Sequence, residues 1–164
     1  MAIPARWIRL HLRHFTAMPA LCAAFAQAQG AHAMPAALWA GSDGERHAFA
    51  IVAPLKHLPG RQTRWRSWAL APIVAAYRQC GVSAYTDADR ICLSGQPISA
   101  VEAAAVGPSA VVVADCAAWG MEFMDVLRAR VEAQYGWQFD SSWPTEAERD
   151  ALAGALLGVA ANAD

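Results

Sequence analysis

Apolar positions in this chain change their spacing several times, and each change marks an element. From Arg6 to Ala28 the residues Trp7, Ile8, Leu10, Leu12, Phe15, Leu21 and Phe25 recur at loosely helical intervals, so a helix interrupted near Pro19 is expected there. Leu38 and Trp39 then close a short strand, GSDGE supplies turn chemistry, and HAFAIVA is a compact apolar run that Pro54 ends. That order predicts a hairpin. KHLPGRQTR, with Pro59 and Gly60, reads as an exposed loop.

From Ser67 the pattern turns helical: SWALAPIVAAYRQCG offers a serine N-cap, a proline in the first turns and Gly81 as terminator. VSAYT, RICLS, PISAVEAAA and SAVVVADC follow as strands separated by DAD, GQ and GP turns, an antiparallel meander. Alternation inside PISAVEAAA is weak, which marks an edge or bent strand. GMEFMDVLRARVEAQYG repeats Phe123, Val126, Leu127, Val131 and Tyr135 at helical spacing and stops at Gly136. TEAERDALAGALLGVAA opens with a Thr145 to Glu148 capping box and sets Leu152, Leu156 and Leu157 on one face. Between these helices WQFDSSWP reads as an aromatic wedge. The fold class is α+β, an antiparallel or mixed sheet with flanking helices. Residues 1–30 are expected to form an N-terminal helical segment, and 31–164 an α+β domain ending in two helices.

Length and composition narrow the class. At 164 residues, 56% of them hydrophobic, the chain is sized for one domain that folds by itself. The net charge of -1 gives no field to attract nucleic acid or an anionic membrane, and no run approaches the roughly 20 apolar residues of a membrane span. MAIPARWIRLHLRH followed by FTAMPALCAAFAQAQ imitates a secretory leader with an A-x-A site at Ala28, which would mean export. Against that, the basic region is long, Pro19 interrupts the apolar run, and cleavage would leave an odd number of cysteines in an oxidising compartment. The cytoplasm is the expected location.

Cys22, Cys80, Cys92 and Cys116 show no C-x-x-C spacing and read as buried reduced thiols. His11, His14, His32, His47 and His57 all lie in the first third. His11 and His14 are three apart, but no acidic third ligand lies close, so they read as surface residues and no metal site is expected. The phosphate loop, dinucleotide, G-x-S-x-G and H-E-x-x-H motifs are absent. Arginines cluster in RWIRLHLRH and GRQTRWRSW, while Lys56 is the only lysine. In the second cluster Arg61, Arg64 and Arg66 interleave with Trp65 and Trp68 just before a helix start, a place suited to an anion. The structural alternative stacks those arginines over the tryptophans.

The order of elements from residue 48 to about 115 resembles the biotin and lipoate protein ligase family, which includes octanoyltransferases. HAFAIVAP is similar to that family's strand ending in proline, and VAAYRQCGVSAY to its helix ending at a glycine step. DRICLSGQPISA sits where the family has a hairpin N-D-(I/V)-x-V-x-G-(R/K)-K-I-(S/A)-G, with Asp89, Ile91, Leu93, Gly95, Ile98 and Ser99 in matching or similar positions. The resemblance implies an enzyme, a ligase or acyltransferase, that handles a lipoyl, octanoyl or biotinyl group, with ATP, for attachment to a lysine of an acceptor protein. It implies as partners a lipoyl or biotinyl acceptor domain or an acyl carrier protein.

Departures from the family pattern fall on its chemistry. The hairpin lysine is Pro97, flanked by Gln96; the following glycine is Ala100; the Asn-Asp pair is Asp89-Arg90; and R-R-x-(S/T)-G-G-G is not recognisable in GSDGERHAF. The residues therefore describe a scaffold with altered chemistry, a candidate pseudoenzyme for which no catalytic residue is assigned. Alternatives are a non-catalytic relative binding an acyl ligand or a protein, and an exported domain of other function. A ligand site, on this reading, lies between the HAFAIVAP strand and the SGQPIS hairpin. Arg64 or Arg66 is placed nearest an anion, with Gly95 and Ser99 at the wall.

Overall fold

The computed structural model describes residues 1–11, 15–41, 46–117 and 122–162. Leu12, His14, most of the GSDGE turn and the start of the GMEF segment lie outside the described residues. Eight strands form one mixed sheet: β1 (Ile3–Leu10), β2 (Ala36–Gly41), β3 (Arg46–Pro54), β4 (Tyr85–Asp87), β5 (Arg90–Leu93), β6 (Gln96–Val106), β7 (Ser109–Ala117) and β8 (Trp137–Ser141). Their order is β4-β5-β6-β7-β3-β2-β1-β8. The run from β4 to β2 is antiparallel throughout, while β1 is parallel to both β2 and β8.

Helices cover both faces. α2 (Trp65–Gln79) and α3 (Phe123–Tyr135) close one core around Phe49, Tyr77 and Phe123; α1 (Met18–Gln29) and α4 (Glu146–Asn162) close the other around Ile8, Met18 and Phe25. No helix among the described residues is long and apolar enough to cross a membrane.

The N-terminal segment departs from expectation. Residues 3–10 are a strand, not a helix, paired as Ile8 with Leu38 on one side and Ile3 with Trp137 on the other. With both sheet faces covered, such a strand loses its period-2 signature, and Ala5, Ile8 and Leu10 are all buried. Pro19 does not break a helix either: it stands at the start of α1, where its missing N–H costs no hydrogen bond. The boundary at residue 30 thus falls inside the domain.

WQFDSSWP likewise contains β8 rather than only a connector, with Trp137 and Phe139 buried and Gln138 and Asp140 exposed. α2 starts two residues ahead of Ser67, whose hydroxyl bonds back to the Arg64 carbonyl (3.0 Å) instead of capping. At α4, Thr145 Oγ1 accepts the Glu148 N–H (3.2 Å) as expected. Leu152 is buried there, whereas Leu156 and Leu157 are exposed.

Candidate functional site

The β5–β6 hairpin turns on Ser94 and Gly95, both at positive φ (51° and 79°), the requirement of a tight two-residue connection. Gln96 already belongs to β6, opposite Leu93. The Gly95 N–H donates to Tyr85 Oη (3.1 Å), which fixes the turn against β4. Pro97 is exposed and stands opposite Cys92, where the ladder shifts register between Ile91 and Cys92; a residue without an N–H is tolerated at such a bulge. Neither turn residue nor Pro97 presents a charge.

Ser99 faces the α2/α3 core. It is 3% exposed, and its Oγ lies 3.5 Å from Cys116 Sγ, its cross-strand partner. Burial pushes the Cys116 thiol up to about 12 and raises that of Cys22, so neither is a ready thiolate.

Arg66 forms an ion pair with Asp89 (2.7 Å), joining α2 to the β4–β5 turn, so this aspartate is engaged by the protein itself. Arg64 is exposed just before α2. Trp65 is buried with its Nε1 donating to the Pro59 carbonyl (2.8 Å), and Trp68 stacks on Tyr135 at 4.0 Å. Among the described residues, arginines lie over other rings: Arg9 over Trp39 and Arg128 over Trp7. Lys56 follows β3, beside Pro108 at the far end of the 11-residue strand β6 from Gly95. That is roughly 30 Å or more along the sheet, so Lys56 is no substitute for a hairpin cation.

The opposite face of the same strands carries a cleft of about 420 Å³. Its floor follows two cross-strand rows over β3, β7 and β6: Ala48, Asp115 and Ala100 in one, Val113 and Glu102 in the next. Thr16 and Pro19, at the start of α1, form a wall. The space exists because positions 48 and 100 are alanines; a larger side chain at either would fill it. Arg46 holds Asp115 through two hydrogen bonds, and that contact raises the pKa of the guanidinium further. Glu102 adds a second carboxylate. A cleft of this size lies within the range of about 300–1,000 Å³ typical of small-molecule sites. Arg64, Arg66, Gly95 and Ser99 do not border it.

Ala48, Glu102 and Asp115 carry no motif in the sequence, and Ala100 stands out there only as the place of the family's glycine. The weak alternation of PISAVEAAA was their one signal, since short side chains on the open face of β6 blur the period. Among the described residues no group of histidine, cysteine or acidic side chains is arranged to hold a metal.

No protein-family model and no curated protein matches this sequence. Solved structures do match in fold. A bi-partite lipoate protein ligase from Thermoplasma acidophilum, studied with its E2 lipoyl domain, aligns at 10% identity over 93% of this chain and 91% of its own, with a TM-score of 0.74. A lipoate-protein ligase A bound with ATP aligns at 10% identity over 93% and 94%, TM-score 0.73. Biotin acetyl coenzyme A carboxylase synthetase from Helicobacter pylori, with bound biotinylated ATP, aligns at 14% over 81% and 73%, TM-score 0.59.

Proposed function

Since this chain carries the fold of the lipoate and biotin protein ligases, we propose that it binds a lipoyl, octanoyl or biotinyl group in the cleft over β3, β7 and β6. The binding serves attachment of that group to a lysine of an acceptor protein, such as a lipoyl or biotinyl domain. The observation that carries this reading is the Ala48–Asp115–Ala100 row, which leaves an open, small-walled trough beside the hairpin on the ligase scaffold. An apolar acyl body suits such a floor.

The same residues argue for binding without activation by this hairpin. Forming an acyl adenylate places negative charge near the reacting carbonyl, and a positioned cation is the usual means of stabilising it. Pro97 offers none, and Glu102 adds negative charge to the cleft beside the Arg46–Asp115 ion pair. The second reading, a non-catalytic relative that holds an acyl ligand, rests on the uncharged Pro97 and the Glu102 carboxylate.

Incubation of the chain with ATP, each acid and an acceptor domain, followed by intact-mass measurement, separates the two. No mass gain on the acceptor together with measurable acid binding supports the non-catalytic form. Acceptor modification at an ordinary turnover supports the ligase form, and absence of both binding and modification removes the proposal.

A further inference from the structure

A second cleft, of about 410 Å³, opens on the α3 side of the molecule, bordered by Trp7, Trp39, Trp143, Arg9, Arg128 and Asp125. It lies where the parallel strands β1, β2 and β8 end: Arg9 and Trp39 are a cross-strand pair near the last residues of β1 and β2, and Trp143 follows β8 by two residues. Ligands collect beyond the carboxyl ends of parallel strands in open α/β sheets, and the same geometry is present in this part of the sheet.

Donors dominate its lining. Arg9, Arg128, Ser141, Ser142 and Trp39 line it beside one carboxylate, Asp125. Arg128 is engaged elsewhere, its Nη2 donating to the Phe139 carbonyl at 2.9 Å and its Nε 3.8 Å from Glu132, so Arg9 is the guanidinium the site relies on. The Arg9 guanidinium lies 4.4 Å from the centre of the Trp39 ring, and Arg128 lies 5.4 Å from that of Trp7. Stacked in this way, Arg9 presents in-plane N–H groups suited to an acid. Trp143, 86% exposed at the rim, offers a large uncovered indole.

We propose that this cleft binds a small planar ring bearing an acid group, with the ring against Trp143 and the acid taken by Arg9. The acid is a carboxylate or a phosphate; both supply the charged acceptor oxygens that a guanidinium pairs with. The site is separate from the acyl cleft, on the opposite face of the sheet, and does not depend on the function assigned there.

Calorimetric titration of the full chain with 1-naphthoate and with adenosine 5′-monophosphate, each against its neutral counterpart (1-naphthylmethanol, adenosine), tests it. At least one acid is expected to bind about tenfold or more tightly than its counterpart. Arg9→Gln and Trp143→Ala are each expected to weaken that binding by about tenfold, while Ala100→Leu in the acyl cleft leaves it unchanged. Trp143 is exposed, so its replacement spares the core should Arg9→Gln disturb folding. Equal binding of acid and neutral forms, no binding of either acid, or a loss on Ala100→Leu but not on Trp143→Ala would overturn the proposal.

Discussion

Arg6 reaches from β1 to α4, where its Nη1 donates to both carboxylate oxygens of Glu148 at 2.7 and 3.1 Å. Nη2 donates to the Trp143 carbonyl at 2.9 Å. Glu148 is 4% exposed, so this pair is a buried tie between an internal strand and the last helix. It also explains why the Thr145 capping box is only half formed: the glutamate that would return to the cap is taken by Arg6. Replacing Glu148 with alanine strands a charge in a low-dielectric setting and is expected to cost about 3–5 kcal/mol in denaturant unfolding. A loss below about 1 kcal/mol, the range of exposed pairs, would show that water reaches the site.

Deleting residues 1–28 removes β1 from between β2 and β8 and α1 from its face. Both remaining edges would carry unpaired backbone groups, and the core around Phe25 and Met18 would open. The truncated chain is expected to lack a cooperative thermal transition and dispersed amide resonances. A folded truncation would contradict the integral place of this segment.

The middle of the fold was legible because its elements carry local punctuation. Pro54, Gly95, Gly107 and Pro108 bracket β3, β6 and β7, and short turns join β4, β5, β6 and β7 in succession. β1 and β8 were not legible for a different reason. They are parallel partners about 130 residues apart in sequence, so no turn announces them, and β1 is buried on both faces. Of the site, the hairpin was legible as a structural corner. Its open face was not: Ala48 records the absence of a side chain, which no motif marks, and Ala100 stood out only as a departure from the family's glycine. Arg66 was legible as a cation but not as Asp89's partner, since that contact joins α2 to a distant turn.

Acid is expected to weaken the fold through His47. Its ring stacks on Trp39 at 5.8 Å and lies across Gly41, where an added Cβ would meet Nδ1 at 3.1 Å. Nδ1 is buried without a partner, and burial first, then the positive charge of Arg9, lowers the pKa below its usual 6.5. The folded state therefore binds this proton more weakly than the unfolded chain. Stability from this group is complete above pH 6.5 and declines as pH falls through the lowered folded value. Burial also lowers His57, so the slope below pH 6.5 is expected to shrink, not vanish, in His47→Phe. An unchanged slope in thermal melts between pH 7 and pH 5 would contradict this.

Gly136 ends α3 in the left-handed region, at φ 67°, and an added Cβ there meets nothing within 4 Å. Gly136→Ala therefore isolates the backbone term, and a loss of about 1–2 kcal/mol is expected from equilibrium unfolding. A neutral outcome would mean that the helix end relaxes without strain.

Octanoate titration of the wild-type chain beside Ala100→Leu addresses the acyl cleft most directly, with lipoate and biotin as parallel ligands. Leucine at 100 projects into the trough next to Asp115 while the β6–β7 pairing is kept. Saturable binding of at least one of the three acids by the wild type, weakened about tenfold or more by Ala100→Leu in a variant that melts normally, is the predicted result. Binding that leucine leaves untouched, or no binding of any of the three, would contradict it.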